Sequence, residues 1–351
     1  MGKMEAFLVA PIGEIHTLEG PPGPRRGAQM QNTGRQKDAG LLVRGGFVEE
    51  VGPAGDLIAR HPGVFRLGAE KCLVTPGLID PHTHLIWAGS RADEFLMRSS
   101  GMTYEEIARK GGGISRTHQF VLNAREEDLV DSLLQRSRLV ASYGTTTVEI
   151  KASYGLTPQG CGKELDALKS ARSHLGLRIV ITFMGAHAVP PDHSREDFLK
   201  MLKDEAIPKA SEHPSQPQFN DVFCEEGAFN LNETEEILKA GMEWGLTPKV
   251  HSDEFTVLGG TELACRLGAA SADHLIASGK EQIEALSRSS TVAVLLPGVS
   301  FYLGKPFAPA RQMIDAGCAV ALGSDFNPGS SMVASLPFVM GLAVSRMGLS
   351  P

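Results

Sequence analysis

The sequence predicts an α/β protein: a (β/α)8 barrel of the TIM type preceded by a small N-terminal β-sandwich domain. Three observations carry this. From Thr75 onward, short apolar runs alternate with longer, charged segments of helical pattern, and eight such runs can be counted. Those runs end in polar residues, as barrel strands do where their C-terminal ends gather the chemistry. The first seventy-odd residues lack this rhythm and show strand-length patterns around a Pro/Gly-rich loop. The expected domains are residues 1–75 and 76–351.

In order along the chain, "AFLVAPIGEIHTL" and "AGLLVRGGFVEEVGP" alternate or run apolar over strand lengths, and the polar stretch "EGPPGPRRGAQMQNTGRQKDAG" between them is a loop. The eight barrel strands are "GLIDPHTH", "TTTVEIKAS", "RIVITFMGAH", "DVFCEE", "TPKVHSDE", "SADHL", "TVAVLLPG" and "AVALGSDFN". Helical segments between them include "AREEDLVDSLLQRSRLVASY", "GKELDALKSARSHL", "REDFLKMLKDEAIPKA", "ETEEILKAGMEWG", "VLGGTELACRLG" and "GKEQIEALS".

A chain of 351 residues, 42% of them hydrophobic, can bury a large core and reads as a soluble globular protein. Its formal charge of −7 gives no general attraction for phosphate backbones or anionic lipid, so nucleic acid and membrane are poor partners and a small molecule is the better one. No window approaches ~18 uninterrupted apolar residues, and the N-terminus has no A-x-A cleavage pattern. Gly2 invites a myristoylation reading, but Ala6 stands where that motif wants Ser or Thr. A cytoplasmic location is expected. The five cysteines are scattered and never form a C-x-x-C pair, which fits unpaired buried thiols in a reducing compartment. A homodimer is the default assembly.

The chemistry centres on "DPHTHLIWAGSRADEF". In a strand, residues i and i+2 face the same side, so His82 and His84 share the barrel mouth and make half a metal site. An isolated H-x-H is more often a hydrogen-bonded pair at a strand end. Here, however, His187, His251, His274 and Asp325 each close a further apolar run. Histidines with one carboxylate and a position left for water suit zinc or ferrous iron. The glycines of "GGGI" at 111–114 follow a helical "EEIARK" rather than a strand, so a flexible active-site loop is expected there, not a phosphate cradle. His118, His174, His193 and His213 lie in helical or loop contexts and read as surface residues.

These residues resemble the metal-dependent amidohydrolase superfamily, through "PGLIDPHTH" with a later strand-end His and Asp. Within it, "HTHLIWAGSRADEF", "GGGI", "SYGL", "MGAHAVP", "HSDEF", "SADHL" and "GSDFNPGS" are similar to the imidazolonepropionase family, over nearly the whole chain. The resemblance implies hydrolysis of 4-imidazolone-5-propanoate to N-formimidoyl-L-glutamate, a step of histidine degradation. It also implies one divalent metal, Zn2+ or Fe, held by His82, His84, His251 and Asp325. Glu254 would act as acid/base on the water, His274 would polarise the carbonyl, and Arg91 would clamp the propionate. Asp325 would also belong to the catalytic set, and Tyr154, His187, Asn327, Gly329 and Ser330 would make the remaining substrate contacts. Lys151 ends the second barrel strand, where some amidohydrolases carry a carbamylated lysine; the resemblance implies an unmodified one.

Plainer roles stand beside these. Arg91 also reads as an ion-pair partner of Asp93 or Glu94 on a solvated loop, Glu254 as a loop carboxylate beside Asp253, and Tyr154 as a cap on the barrel end. The alternatives to the whole reading are another cyclic amidase or a guanine or cytosine deaminase of the same superfamily and, from a different class, a catalytically impaired truncated isoform or scaffold. Members of the family continue for several dozen residues past the last of these blocks, so the chain is expected to be truncated at its C-terminus, with an incomplete β domain.

Overall fold

The computed structural model describes residues 6–350, without the side chains of Tyr104, Glu105 and Ala108; Gly2 and Pro351 lie outside that range. The chain divides into two compact units, Met1–Gly77 and Leu78–Pro351.

The first unit is one four-stranded sheet built from β1 (Ala6–His16), β2 (Arg35–Arg44), β3 (Phe47–Pro53) and β4 (Phe65–Val74), in the order β3-β2-β1-β4. Gly45 and Gly46 join β2 to β3 with φ of 58° and 87°, as a two-residue hairpin matching the strand twist requires. β4 adds parallel to β1. Its charged "FRLGAEKCLV" is largely exposed, which is why the sequence pattern alone does not mark it as a strand. Among the described residues this unit has the one sheet, and the helix Ala54–Arg60 packs Leu57 onto Leu8, Ala10 and Leu42 where the expected sandwich would have a second.

The second unit contains eight parallel strands hydrogen-bonded in sequence order: β5 (Leu78–Asp80), β6 (Thr145–Ala152), β7 (Arg178–Ala186), β8 (Phe219–Cys224), β9 (Thr247–Ser252), β10 (Ser271–His274), β11 (Val292–Leu295) and β12 (Val320–Leu322). All eight fall on the runs expected from the sequence. The ring is drawn together just past the short β5 and β12. There Thr83 bridges Phe326, Asp325 donates its N–H to the His82 carbonyl and His84 donates to the Phe326 carbonyl, both at 3.0 Å. The seam therefore fixes the H-x-H segment against Asp325 through backbone alone. Helices such as Glu126–Ser142 and Pro158–Ala171 pack their apolar faces on the ring, with Leu129, Leu133, Val140, Leu165 and Leu168 in the core. Among the described residues no helix is long and apolar enough to cross a membrane. The five cysteines are free, and Cys72 is exposed, contrary to the expectation of buried thiols.

Candidate active site and metal centre

The strand ends bring the expected polar residues to one place. His82 and His84 follow β5, His187 follows β7, His251 lies in β9, His274 ends β10 and Asp325 follows β12. Asp325 Oδ1 stands 3.3 Å from His82 Nε2 and 3.4 Å from His84 Nε2. His82, His251 and His274 each offer a ligand atom within 4.8 Å of the others, as do His82, His84 and Asp325. His82 Nε2, His251 Nε2, His274 Nδ1 and Asp325 Oδ1 are buried without a hydrogen-bond partner. Buried polar atoms are nearly always satisfied, so four orphans converging on one point mark a place for an ion. Burial, with Lys151 and the neighbouring imidazoles adding to it, holds His82, His84 and His274 well below the usual imidazole range, which keeps them neutral and able to offer a lone pair. Imidazoles with one carboxylate, placed so, offer donors of the type that zinc or iron accepts.

The other ring nitrogens are held from behind. His82 Nδ1 donates to Asp273 Oδ2 at 2.6 Å and His251 Nδ1 to Asp221 Oδ1 at 3.0 Å, while His84 Nδ1 meets Ser153 Oγ at 2.7 Å. Such partners fix the tautomer and hold each Nε2 toward the centre of the cluster. Lys151 is fully buried beneath them, its Nζ 2.7 Å from both Asp221 Oδ2 and Glu149 Oε1. Burial alone would lower the ammonium pKa, but Asp221, Glu149 and Asp273 together raise it above the ordinary lysine value. A protonated amine held by carboxylates is not a nucleophile for CO2, and an unmodified Lys151 fits this geometry. The sequence reading missed Asp221, Asp273, Glu149, Lys249 and Ser153. A signal was present: Glu149-x-Lys151 and Lys249-x-His251 place charges at alternate positions of apolar strands, on the inward face.

A narrow polar cavity opens beside the cluster. Its walls include Arg91, Ile114, Tyr154, His187, Glu254, His274, Asn327 and Ser330. Glu254 Oε1 lies 3.8 Å from His274 Nδ1, and burial, with Asp325 and Glu225 adding repulsion, pushes the Glu254 carboxyl well up. Glu225 anchors the turn that carries it, accepting the N–H of Phe255 at 2.9 Å and of Thr256 at 3.1 Å. His274 and Asp325 have φ of 79° and 49°, a left-handed conformation that non-glycine residues adopt at a cost of order 1–3 kcal/mol and that gathers at functional sites.

Arg91 is buried and lines this cavity while its Nε donates to Glu94 Oε2 at 2.8 Å, so the ion pair and the place in the site coexist. Gly329 is not part of the cavity wall. A Cβ there would stand 2.3 Å from Arg91 Nη1, so the residue acts by leaving room for the guanidinium. Asn327 spends its side-chain oxygen on the N–H groups of Gly329 and Ser330, at 2.8 and 2.7 Å, and so shapes the turn. The glycines at 111–113 open the helix Gly113–Asn123 and bring Ile114 to the cavity wall. His118 corrects the expectation of a surface residue: it is buried, with Nδ1 bonded to the Tyr154 carbonyl at 2.8 Å. Its place in an amphipathic helix hid that contact, which joins residues 36 positions apart. His174 is exposed, and His193 and His213 are half-buried.

No protein-family model matches the sequence. Among solved structures, the chain is similar to guanine deaminase from C. acetobutylicum (TM-score 0.65, 17% identity, 97% of this chain and 79% of that one). It is also similar to A. niger ochratoxinase (TM-score 0.65, 13% identity, 99% and 81%). A zinc-bound adenosine deaminase from Xanthomonas campestris follows (TM-score 0.64, 15% identity, 97% and 75%). At such identities the likeness is one of fold. Curated sequences carry more. The chain is 42% identical to an imidazolonepropionase from Symbiobacterium thermophilum over 351 residues, covering 98% of this chain and 82% of the relative. It is 41% identical to one from Geobacillus kaustophilus, covering 99% and 84%, and 45% identical to one from Deinococcus deserti, covering 94% and 81%. With these relatives and the strand-end cluster together, the chain belongs to the imidazolonepropionase family.

Proposed function

We propose that this chain hydrolyses the ring amide of 4-imidazolone-5-propanoate to N-formimidoyl-L-glutamate, with one divalent metal, zinc or iron, held by His82, His84, His251 and Asp325. The supporting observation is the meeting of unpaired, buried ligand atoms with a buried arginine across one small cavity. When bound, the metal supplies Lewis acidity that makes water a nucleophile near neutral pH.

The chain's own residues do the rest. Arg91 receives the propionate, its planar fork matching a carboxylate and its orientation set by Glu94. His274 faces the carbonyl oxygen and stabilises the charge that develops there. Glu254 takes the proton from water as oxygen bonds to the ring carbonyl carbon, then returns it to the ring nitrogen as the C–N bond breaks. Tyr154 and His187 complete the wall around the ring. Asn327 and Ser330 border the propionate end, and Gly329 supports Arg91 there. The enzyme is read as cytoplasmic and as a homodimer; sedimentation of the purified protein checks the assembly.

The test combines elemental analysis with turnover. One zinc or iron per chain and ring opening of imidazolonepropanoate without ammonia release support the reading. Ammonia release from guanine or cytosine, with no ring opening, would reassign it to a deaminase.

A further inference from the structure

Below the cluster, away from the cavity, Glu149 gathers an unusual set of bonds. Its Oε2 accepts the N–H of Thr83, the residue between His82 and His84, at 3.2 Å, and its main-chain carbonyl accepts Thr83 Oγ1 at 2.6 Å. Its Oε1 accepts from Lys151 Nζ at 2.7 Å, from Lys249 Nζ at 3.3 Å and from Thr182 Oγ1. None of these bonds goes to an imidazole or to Asp325. Both lysines then lead on to the ligands. Lys151 reaches Asp221, which holds His251, and lies 3.8 Å from Asp273, which holds His82. Lys249 lies 3.4 Å from Asp273 and donates to the Pro81 carbonyl, one residue before His82, at 3.0 Å.

We infer that Glu149 is a positioning residue of the metal centre: one carboxylate that fixes the H-x-H backbone and, through Lys151 and Lys249, the two aspartates that aim His82 and His251. The inference rests on the metal reading above and deepens it. Four facts argue for it. Thr83 cannot shift without moving both flanking ligands, and Glu149 grips it by two bonds. The layer pairs two ammonium groups with three carboxylates, Glu149, Asp221 and Asp273, leaving a formal excess of one negative charge directly behind the site of a divalent cation. Every member is buried, so the charges are poorly screened and losing one leaves a partner uncompensated. The sequence separation is large, with Lys249 100 residues from Glu149 and Asp273 191 from His82, so the barrel alone assembles the network.

The experiment is metal affinity by chelator competition on the full chain, together with the visible absorption of the Co2+-substituted protein, which reports ligand geometry independently of turnover. Wild type and His82→Ala come first: metal bound by the former and lost from the latter sustains the ligand assignment. Glu149→Gln keeps the shape but removes the charge. Its affinity should fall by about 10–100-fold, the usual effect of removing an outer partner, and its Co2+ spectrum should change. Lys249→Met should weaken binding in the same way and Lys249→Arg should restore most of it, which decides the matter even if Glu149→Gln does not fold. Wild-type affinity and an unaltered Co2+ spectrum in Glu149→Gln, or equal affinities for the two Lys249 variants, would overturn the role of the network while leaving the ligands standing. A wild type that takes up no metal overturns both.

Discussion

Glu94 joins Arg91 to the helix that borders the cavity: one carboxylate oxygen accepts Arg91 Nε at 2.8 Å while the other accepts the N–H of Gly113 at 3.0 Å. Both side chains are buried, so the pair fixes the guanidinium plane and ties it to the element carrying Ile114. Arg91→Ala should therefore lower kcat/KM by roughly two to three orders of magnitude, on the order of 2–4 kcal/mol, and also cost stability because the buried Glu94 loses the partner of one oxygen and keeps only the Gly113 N–H and Arg116, 3.8 Å away, at the other. Lysine should rescue little, since a point charge cannot reproduce the fork. Steady-state kinetics of both variants check this; unchanged kcat/KM in the alanine variant would place Arg91 outside the substrate's reach.

Gly329 gives a finer probe of the same group. Its missing side chain admits Arg91, and an added Cβ would stand 2.3 to 2.6 Å from the guanidinium atoms. Gly329→Ala is expected to displace Arg91 rather than remove it, so KM should rise at least tenfold with a smaller change in kcat. A variant with wild-type KM would show that the guanidinium has room to move without cost.

Ligands and acid/base should separate in the mutants. His82→Ala or His251→Ala removes a member of the converging set and should empty most of the site by elemental analysis. Glu254→Gln keeps the shape of the turn held by Glu225, so metal content should stay near wild type while turnover falls by at least 10²-fold, the typical share of a general acid/base. Near-normal kcat in Glu254→Gln would mean that another group moves the proton.

Glu164 provides a pH signature apart from the metal cluster. It is fully buried beneath the Tyr154 turn, accepting the N–H groups of Tyr154 and Gly155 at 3.1 and 2.8 Å, and burial pushes its pKa up to about 8. Between its ordinary value of 4.5 and about 8 the folded chain holds a proton that the unfolded chain has lost, so this contribution to stability is full below the lower value and disappears as pH rises through the upper one. The slope is on the order of 1 kcal/mol per pH unit in that window. Denaturant melts of wild type and Glu164→Gln across the window should converge or cross as pH rises, with the variant losing less; parallel curves would show that Glu164 is ionised throughout.

The strand count, the barrel and the cluster of His82, His84, His251, His274 and Asp325 were all legible in the linear sequence. Each rests on something local: a period of two in a short apolar run, or a polar residue where that run stops. Barrel topology converts such marks into one place, because eight parallel strands direct their C-terminal ends to the same face. β4 was illegible for the converse reason, its exposed and charged residues imposing no apolar alternation. What only the tertiary structure decided is the layer beneath the ligands. Asp273 meets His82 across 191 residues, Asp221 meets His251 across 30, and His118 meets Tyr154 across 36. Composition and spacing do not encode which buried carboxylate faces which imidazole. That choice is made when desolvated polar groups find partners inside the barrel, where each one left unpaired costs about 1–3 kcal/mol.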